Sequence, residues 1–263
     1  RADFHETVIE KRELNELLID LEFIRGNLTG ILTGKGKFGQ FNLNSEIQNL
    51  LEYPVYEAQL TTTDLNLALL TGIDSLYSNI DMTAKVKGEA FKPGNLLASA
   101  NIQFSDSRFQ EINLDSLFAE VQYQNQNIDI DTLWVKTDSL TLYAHGNYSL
   151  NSNSDLDVTA KIEGIQEFSQ YLPVTGFQTS GQIDAHLTGR MDSLNIESTV
   201  ELNTSRYNQI ILDALTLDAE GRITATDTTF NARLLAQNLV SGASAIDSVS
   251  AEIAGKPDSM YVD

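Results

Sequence analysis

The chain has 263 residues, 41% of them apolar, and sets 17 Lys+Arg against 37 Asp+Glu for a formal net charge of −20. That length can bury a substantial core in one large or two ordinary domains, but the charge argues against nucleic acid or anionic headgroups as partners, since both need a basic surface. Zero cysteines exclude disulfides, thiolate catalysis and cysteine-based zinc sites, and no apolar run approaches the ~18 residues that a membrane helix needs.

The sequence begins at Arg1 without a methionine and stops at Asp263 just after a strand-like run, so it reads as a piece of a longer chain. Residues 1–52 read as N-terminal strands of a partial repeat. Glu6 to Leu18 carries enough Glu, Lys and Leu to be helical, whereas Leu17 to Ile24 looks extended, and a strand is expected from about Leu17. Leu28, Gly30, Leu32 and Gly34 alternate strictly with polar residues or partners of the other face, as do Phe41, Leu43, Ser45 and Ile47. Gly34, Gly36 and Gly39 supply the turn between them. Tyr56 to Leu60 is a further strand. The run Asp64 to Leu70 then breaks alternation and suits a short helix capped by Asp64.

From here the chain is written twice. Ser107-Arg108-Phe109-Gln110-Glu111-Ile112-Asn113-Leu114 matches Ser205-Arg206-Tyr207-Asn208-Gln209-Ile210-Ile211-Leu212 at an offset of 98 residues (205 − 107). Leu156 to Ile162 followed by a helical run at 165–172, stopped by Pro173, answers to the strand and helix of the first copy. Met82, Ala84, Val86 and Gly88 answer to Ile183, Ala185, Leu187 and Gly189; Ala98, Ala100, Ile102 and Phe104 answer to Ile196, Ser198, Val200 and Leu202. The period is ~100 residues, longer than that of ordinary solenoids. Full units span 53–154 and 155–255, and 256–263 begins a further segment.

An Asp-small-apolar tripeptide recurs at Asp74, Asp115, Asp131, Asp138, Asp192, Asp213 and Asp247. Several copies shift the apolar phase by one, which would swap faces unless a bulge restores it. Calcium ligation needs several oxygens converging in one loop; aspartates spread singly along the chain suit bulges and turns better.

No catalytic constellation emerges. His5, His145 and His186 lie on different segments without ligand-spaced partners, and His186 falls on the polar phase of its strand. No phosphate loop, nucleophile elbow or metalloprotease helix is present. The sequence does not read as an enzyme, and it calls for no cofactor and no metal.

Three stretches together resemble the AsmA-like proteins, and within them the TamB group of envelope assembly factors. They are the alternating strands closed by glycine (GQIDAHLTG, SNIDMTAKVKG), the run DSLNIESTVELNTSRYNQIILDALTLDAEG, and LTLYAHGNYSLNSNSDLDVTAKI leading into IQEFSQYLP. The likeness covers about residues 27–255. It implies an all-β fold: a long, curled, mostly antiparallel sheet of repeated strands with one or two short helices and an open apolar groove. It further implies an inner-membrane-anchored protein spanning the periplasm, carrying phospholipid between inner and outer membrane in outer-membrane biogenesis. An outer-membrane barrel partner would be met through regions outside these residues.

The residues expected to line the groove against acyl chains are Met82, Val86, Ala100, Ile102, Phe104, Leu142, Val158, Ile183, Leu187, Val200, Leu202 and Leu217. Alternation alone leaves a second architecture open, closed β-sandwich repeats whose apolar face is buried without lipid. That architecture would suit a secreted or surface adhesion or carbohydrate-binding repeat. A transmembrane barrel fits less well, because aromatic girdles are expected at both interfaces and Trp134 is the sole tryptophan.

Overall fold

The computed structural model describes residues 1–9, 12–92, 94–149, 151–164, 176–190, 192–224, 227–256 and 259–262. It divides into two compact units, Arg1–Leu133 and Trp134–Asp263.

The first unit is a meander of β1 (Ala2–Ile9), β2 (Arg12–Ile24), β3 (Asn27–Gly36), β4 (Gly39–Gln48), β5 (Val55–Leu65), β6 (Ser78–Glu89), β7 (Leu97–Phe109), β8 (Ile112–Gln124) and the start of β9 (Asn127–Thr137). From β1 to β8, each strand pairs antiparallel with the one before it. Ala2–Ile9 and Arg12–Ile24 are therefore strands, β1 and β2, including the described part of the stretch whose composition suits a helix. Their Glu, Lys and Leu content favours a helix locally, but pairing β2 along the whole of β3 outweighs that preference. The turn after β2 is Arg25-Gly26, both at positive φ, which is the two-residue hairpin geometry matched to strand twist.

The second unit contains β10 (Leu140–Ser149), β11 (Ser154–Ile162), β12 (Phe177–Gln178), β13 (Gly181–Arg190), β14 (Ser193–Leu202), β15 (Ser205–Tyr207), β16 (Ile210–Thr224), β17 (Thr228–Ser241), β18 (Ser244–Lys256) and β19 (Ser259–Val262). The long strands pair antiparallel in the order β10, β11, β13, β14, β16, β17, β18, with β19 last. The short β12 and β15 pair with each other. Strand accounts for 78% of the structure and helix for 4%, and the sheet is not closed. Each unit is thus the antiparallel all-β sheet expected, and among the described residues no second sheet covers a face of either.

One short helix interrupts the first unit, α1 (Leu67–Thr71). Its N-cap is Asn66, whose side-chain Oδ1 accepts from the Leu69 amide at 3.1 Å. Asp64, the expected cap, instead sits at positive φ near the end of β5. Gly72 closes the helix in the left-handed conformation. Leu67 and Leu70 pack with Leu17, Phe41 and Ile80 around buried Phe38 and Leu65, forming a plug at one end of the first unit. The second expected helix, 165–172, lies outside the described residues.

Phe38 is 2% exposed and stands in the β3–β4 turn. Its neighbour Gly39 has φ +96, and a Cβ there would run into the Asp64 carbonyl. Gly26, at φ +87, has open space around it. Gly26→Ala is expected to cost roughly 1–2 kcal/mol from backbone strain alone. Gly39→Ala should cost more, because the same strain is joined by displacement of the turn from β5. Paired urea melts of the two variants check the ordering.

The two turns that the sequence repeats share their local pairing. Ser107, Arg108 and Phe109 pair with Leu114, Asn113 and Ile112; Ser205, Arg206 and Tyr207 pair with Leu212, Ile211 and Ile210. Both turns begin on a residue at positive φ, Gln110 and Asn208. Phe109 and Tyr207 are 39% and 37% exposed. The preceding strands need a correction. Met82 pairs with Phe104 while Gly181 pairs with Leu202, so Met82 answers to Gly181 and not to Ile183. Aligning the strands on Gly88 and Gly189 misplaces them by two residues. Those glycines serve different ends: Gly88 makes room under the Tyr56 ring, while Gly189 approaches the Ser193 backbone at positive φ.

Six of the seven aspartate tripeptides sit at turns or ladder irregularities, while Asp131 lies within β9. Asp74–Leu76 is a 3-10 turn, and Asp138 and Asp192 fall in the turns before β10 and β14. Asp115 lies across from Asp106, and Asp213 and Asp247 lie across from Asn238 on its two neighbouring strands. Asp106 and Asn238 both have positive φ, and the ladder skips these positions without losing register.

Candidate ligand-binding face

Because the antiparallel register holds from strand to strand, residues of one phase line up in rows across each sheet. In the first unit one row runs Phe41, Thr62, Met82, Phe104, Leu117, and the next runs Leu43, Leu60, Ala84, Ile102, Ala119. A third runs Ser45, Ala58, Val86, Ala100, Val121. In the second unit Leu142, Ala160, Ile183, Val200, Leu217 and Leu234 form one row. Beside it run Ala144, Val158, Ala185, Ser198, Ala219, Ala232, and then Gly146, Leu156, Leu187, Ile196, Gly221, Phe230. Leu202 heads a fourth row between Gly181 and Leu215. All twelve expected lining residues therefore fall on the apolar face of their own unit.

That face is half-shielded, not buried. Each of the twelve is partly exposed. The fully shielded members are small residues in the same rows, Thr62, Ala119, Ala144, Ala160 and Ala236. The opposite phase carries Lys85, Lys87, Gln103, Glu120, Gln182, Asp184, Glu201 and Asp218, which are all exposed. The total exposed area is 16359 Å², against about 13,700 Å² for two compact globules of half this mass. The excess is what single-layer sheets leave uncovered.

Row length sets what such a face can hold. Six strands at ~4.8 Å spacing make the Leu142–Leu234 row ~24 Å long, more than the ~15 Å of one leaflet's hydrocarbon. Small residues along the Ala144 row leave a shallow trough between flanking Leu and Ile side chains.

The polar face of the second unit holds a feature the sequence conceals. Register places Asp157 directly between His145 on β10 and His186 on β13. His186 Nδ1 lies 2.7 Å from Asp157 Oδ1, and His145 Nε2 lies 3.6 Å from Asp157 Oδ2. The two histidines thus do share a partner, contrary to the expectation from their separate segments. The hydrogen bond to Asp157 raises the His186 pKa above its ordinary value, against desolvation and with help from the charges of Asp157, Asp155 and Glu197. A raised folded-state pKa means that this pair stabilises the fold below pH ~6.5. Its contribution fades as pH rises through the raised value. Burial likewise raises the Tyr56 phenol.

Comparison with protein-family models, with curated proteins and with solved structures finds no match. Among the described residues no helix is long and apolar enough to cross a membrane.

Proposed function

We propose that the chain is a β-groove segment of an AsmA/TamB-like protein, in which the apolar faces hold phospholipid acyl chains in transit across the periplasm between inner and outer membrane. The observation that carries this reading is the set of largely apolar, partly exposed rows in each unit, over which the described residues place no second sheet. A soluble protein does not leave so large a contiguous apolar face without something to place on it.

The energetics suit passage rather than storage. At about 0.8 kcal/mol per buried methylene, ten methylenes laid along the face are worth about 8 kcal/mol relative to water. The same methylenes gain about as much in a bilayer, so a chain can enter from one membrane and leave into another without a deep trap. The acidic, polar opposite face keeps the sheet wetted and discourages edge-on aggregation.

Organic extraction of the purified chain followed by mass spectrometry tests the proposal. Near-stoichiometric phospholipid is expected. Lipid-free protein that also fails to take up phospholipid from vesicles would overturn it, and saturable glycan binding by such protein would favour an adhesion role.

A further inference from the structure

Asp155, Asp157 and His186 bring one ligand atom each within 4.8 Å of one another on the polar face of the second unit. In a tetrahedral centre with bonds of about 2.0–2.2 Å, ligand atoms stand about 3.3–3.6 Å apart. His186 faces the two carboxylates with different ring nitrogens, Nδ1 2.7 Å from Asp157 Oδ1 and Nε2 3.8 Å from Asp155 Oδ1, and a metal would take one of these nitrogens in place of its present contact. We propose that these three residues form a divalent transition-metal site of the zinc class, with one ring nitrogen, two carboxylates and water as ligands.

Three features carry the assignment beyond a mere grouping of acids. First, the ligand set is mixed. Imidazole with carboxylate suits zinc, nickel or copper, whereas calcium and magnesium take oxygen ligands. Second, the cationic partners shown for the two carboxylates are histidines alone. The depression around the cluster is lined by Asp157, Asp184 and Glu197 with His145 and His186, and by no lysine or arginine. Elsewhere on the same unit Glu252 is held by Arg233 and Asp192 by Arg190. Third, the donors are preplaced. Asp155 and Asp157 are two apart on one strand, and His186 is fixed opposite Asp157 by a continuous ladder, so little ordering is needed on binding. His145, on the far side of Asp157, orients that carboxylate as outer-sphere partners do.

Zn²⁺ alone is the probe, titrated calorimetrically into the chelator-stripped 263-residue chain. The expected result is one saturable site, weakened about tenfold or more by His186→Gln and by Asp157→Asn, with Ca²⁺ unable to displace the zinc. In the unsubstituted chain, long-range ¹H–¹⁵N spectra should show a His186 ring nitrogen shifting as Zn²⁺ is added. That measurement decides alone if either variant misfolds. No saturable site, binding unchanged by His186→Gln, ring nitrogens that do not move, or equal competition by Ca²⁺ would each overturn the proposal. The site lies on the face opposite the apolar rows, so its failure and the failure of lipid carriage are read separately.

Discussion

Ile102→Arg and Val200→Arg should leave the chain folded and strip it of bound phospholipid. Ile102 stands between Ala84 and Ala119 in its row, and Val200 between Ile183 and Leu217. Both are partly exposed. In a closed core an arginine at either position would bury an unpaired charge, at several kcal/mol and enough to unfold a marginal domain. On an uncovered face the long side chain reaches water by snorkelling, and a loss of about 1 kcal/mol is expected. An acyl chain passing the guanidinium meets a charge that hydrocarbon disfavours by roughly 2–4 kcal/mol. Two such barriers in different units should reduce extracted lipid below detection. Thermal melts run beside lipid extraction check both halves. Unfolding by both substitutions would contradict the open face, and undiminished lipid would mean that this face is not the path.

Phe38→Ala should have the largest effect on stability, with little effect on the apolar rows. Phe38 is the largest side chain buried below 2–3% exposure, and its ring stacks 6.0 Å from that of Phe41. Leu65, Leu67, Leu70 and Ile80 close around it. Deleting the ring removes its transfer free energy and leaves a cavity that turn and helix cannot readily fill, for a cost of about 3–5 kcal/mol. Because single-layer sheets have few buried side chains to share the load, the loss should appear as an early melting step of the first unit in a calorimetric scan. A shift under a degree would mean that the plug is dispensable.

The apolar rows were legible because strand alternation is local and strict. Met82 to Gly88 and Ile183 to Leu187 declare their faces without knowledge of any partner, and all twelve lining residues share the expected phase. The histidine–aspartate ladder was not legible. His145, Asp157 and His186 meet only through the register among β10, β11 and β13, and that register depends on the intervening connections. The helix cap was ambiguous for a local reason, since Asp64 and Asn66 are both capping residues and only the path of β5 decides between them. At β1 and β2 the composition pointed the other way, and pairing with a neighbour overrode it.

Site-specific photocrosslinking tests the central claim most directly. A photoreactive phenylalanine analogue is placed at Ile102 and Val200, and at Gln103 and Thr199 as their neighbours on the opposite phase. Irradiation in cells or with loaded vesicles, followed by mass spectrometry, should give phospholipid adducts at positions 102 and 200 and none at 103 and 199. Adducts of equal yield on both phases, or none at positions 102 and 200, would contradict an apolar face that carries lipid.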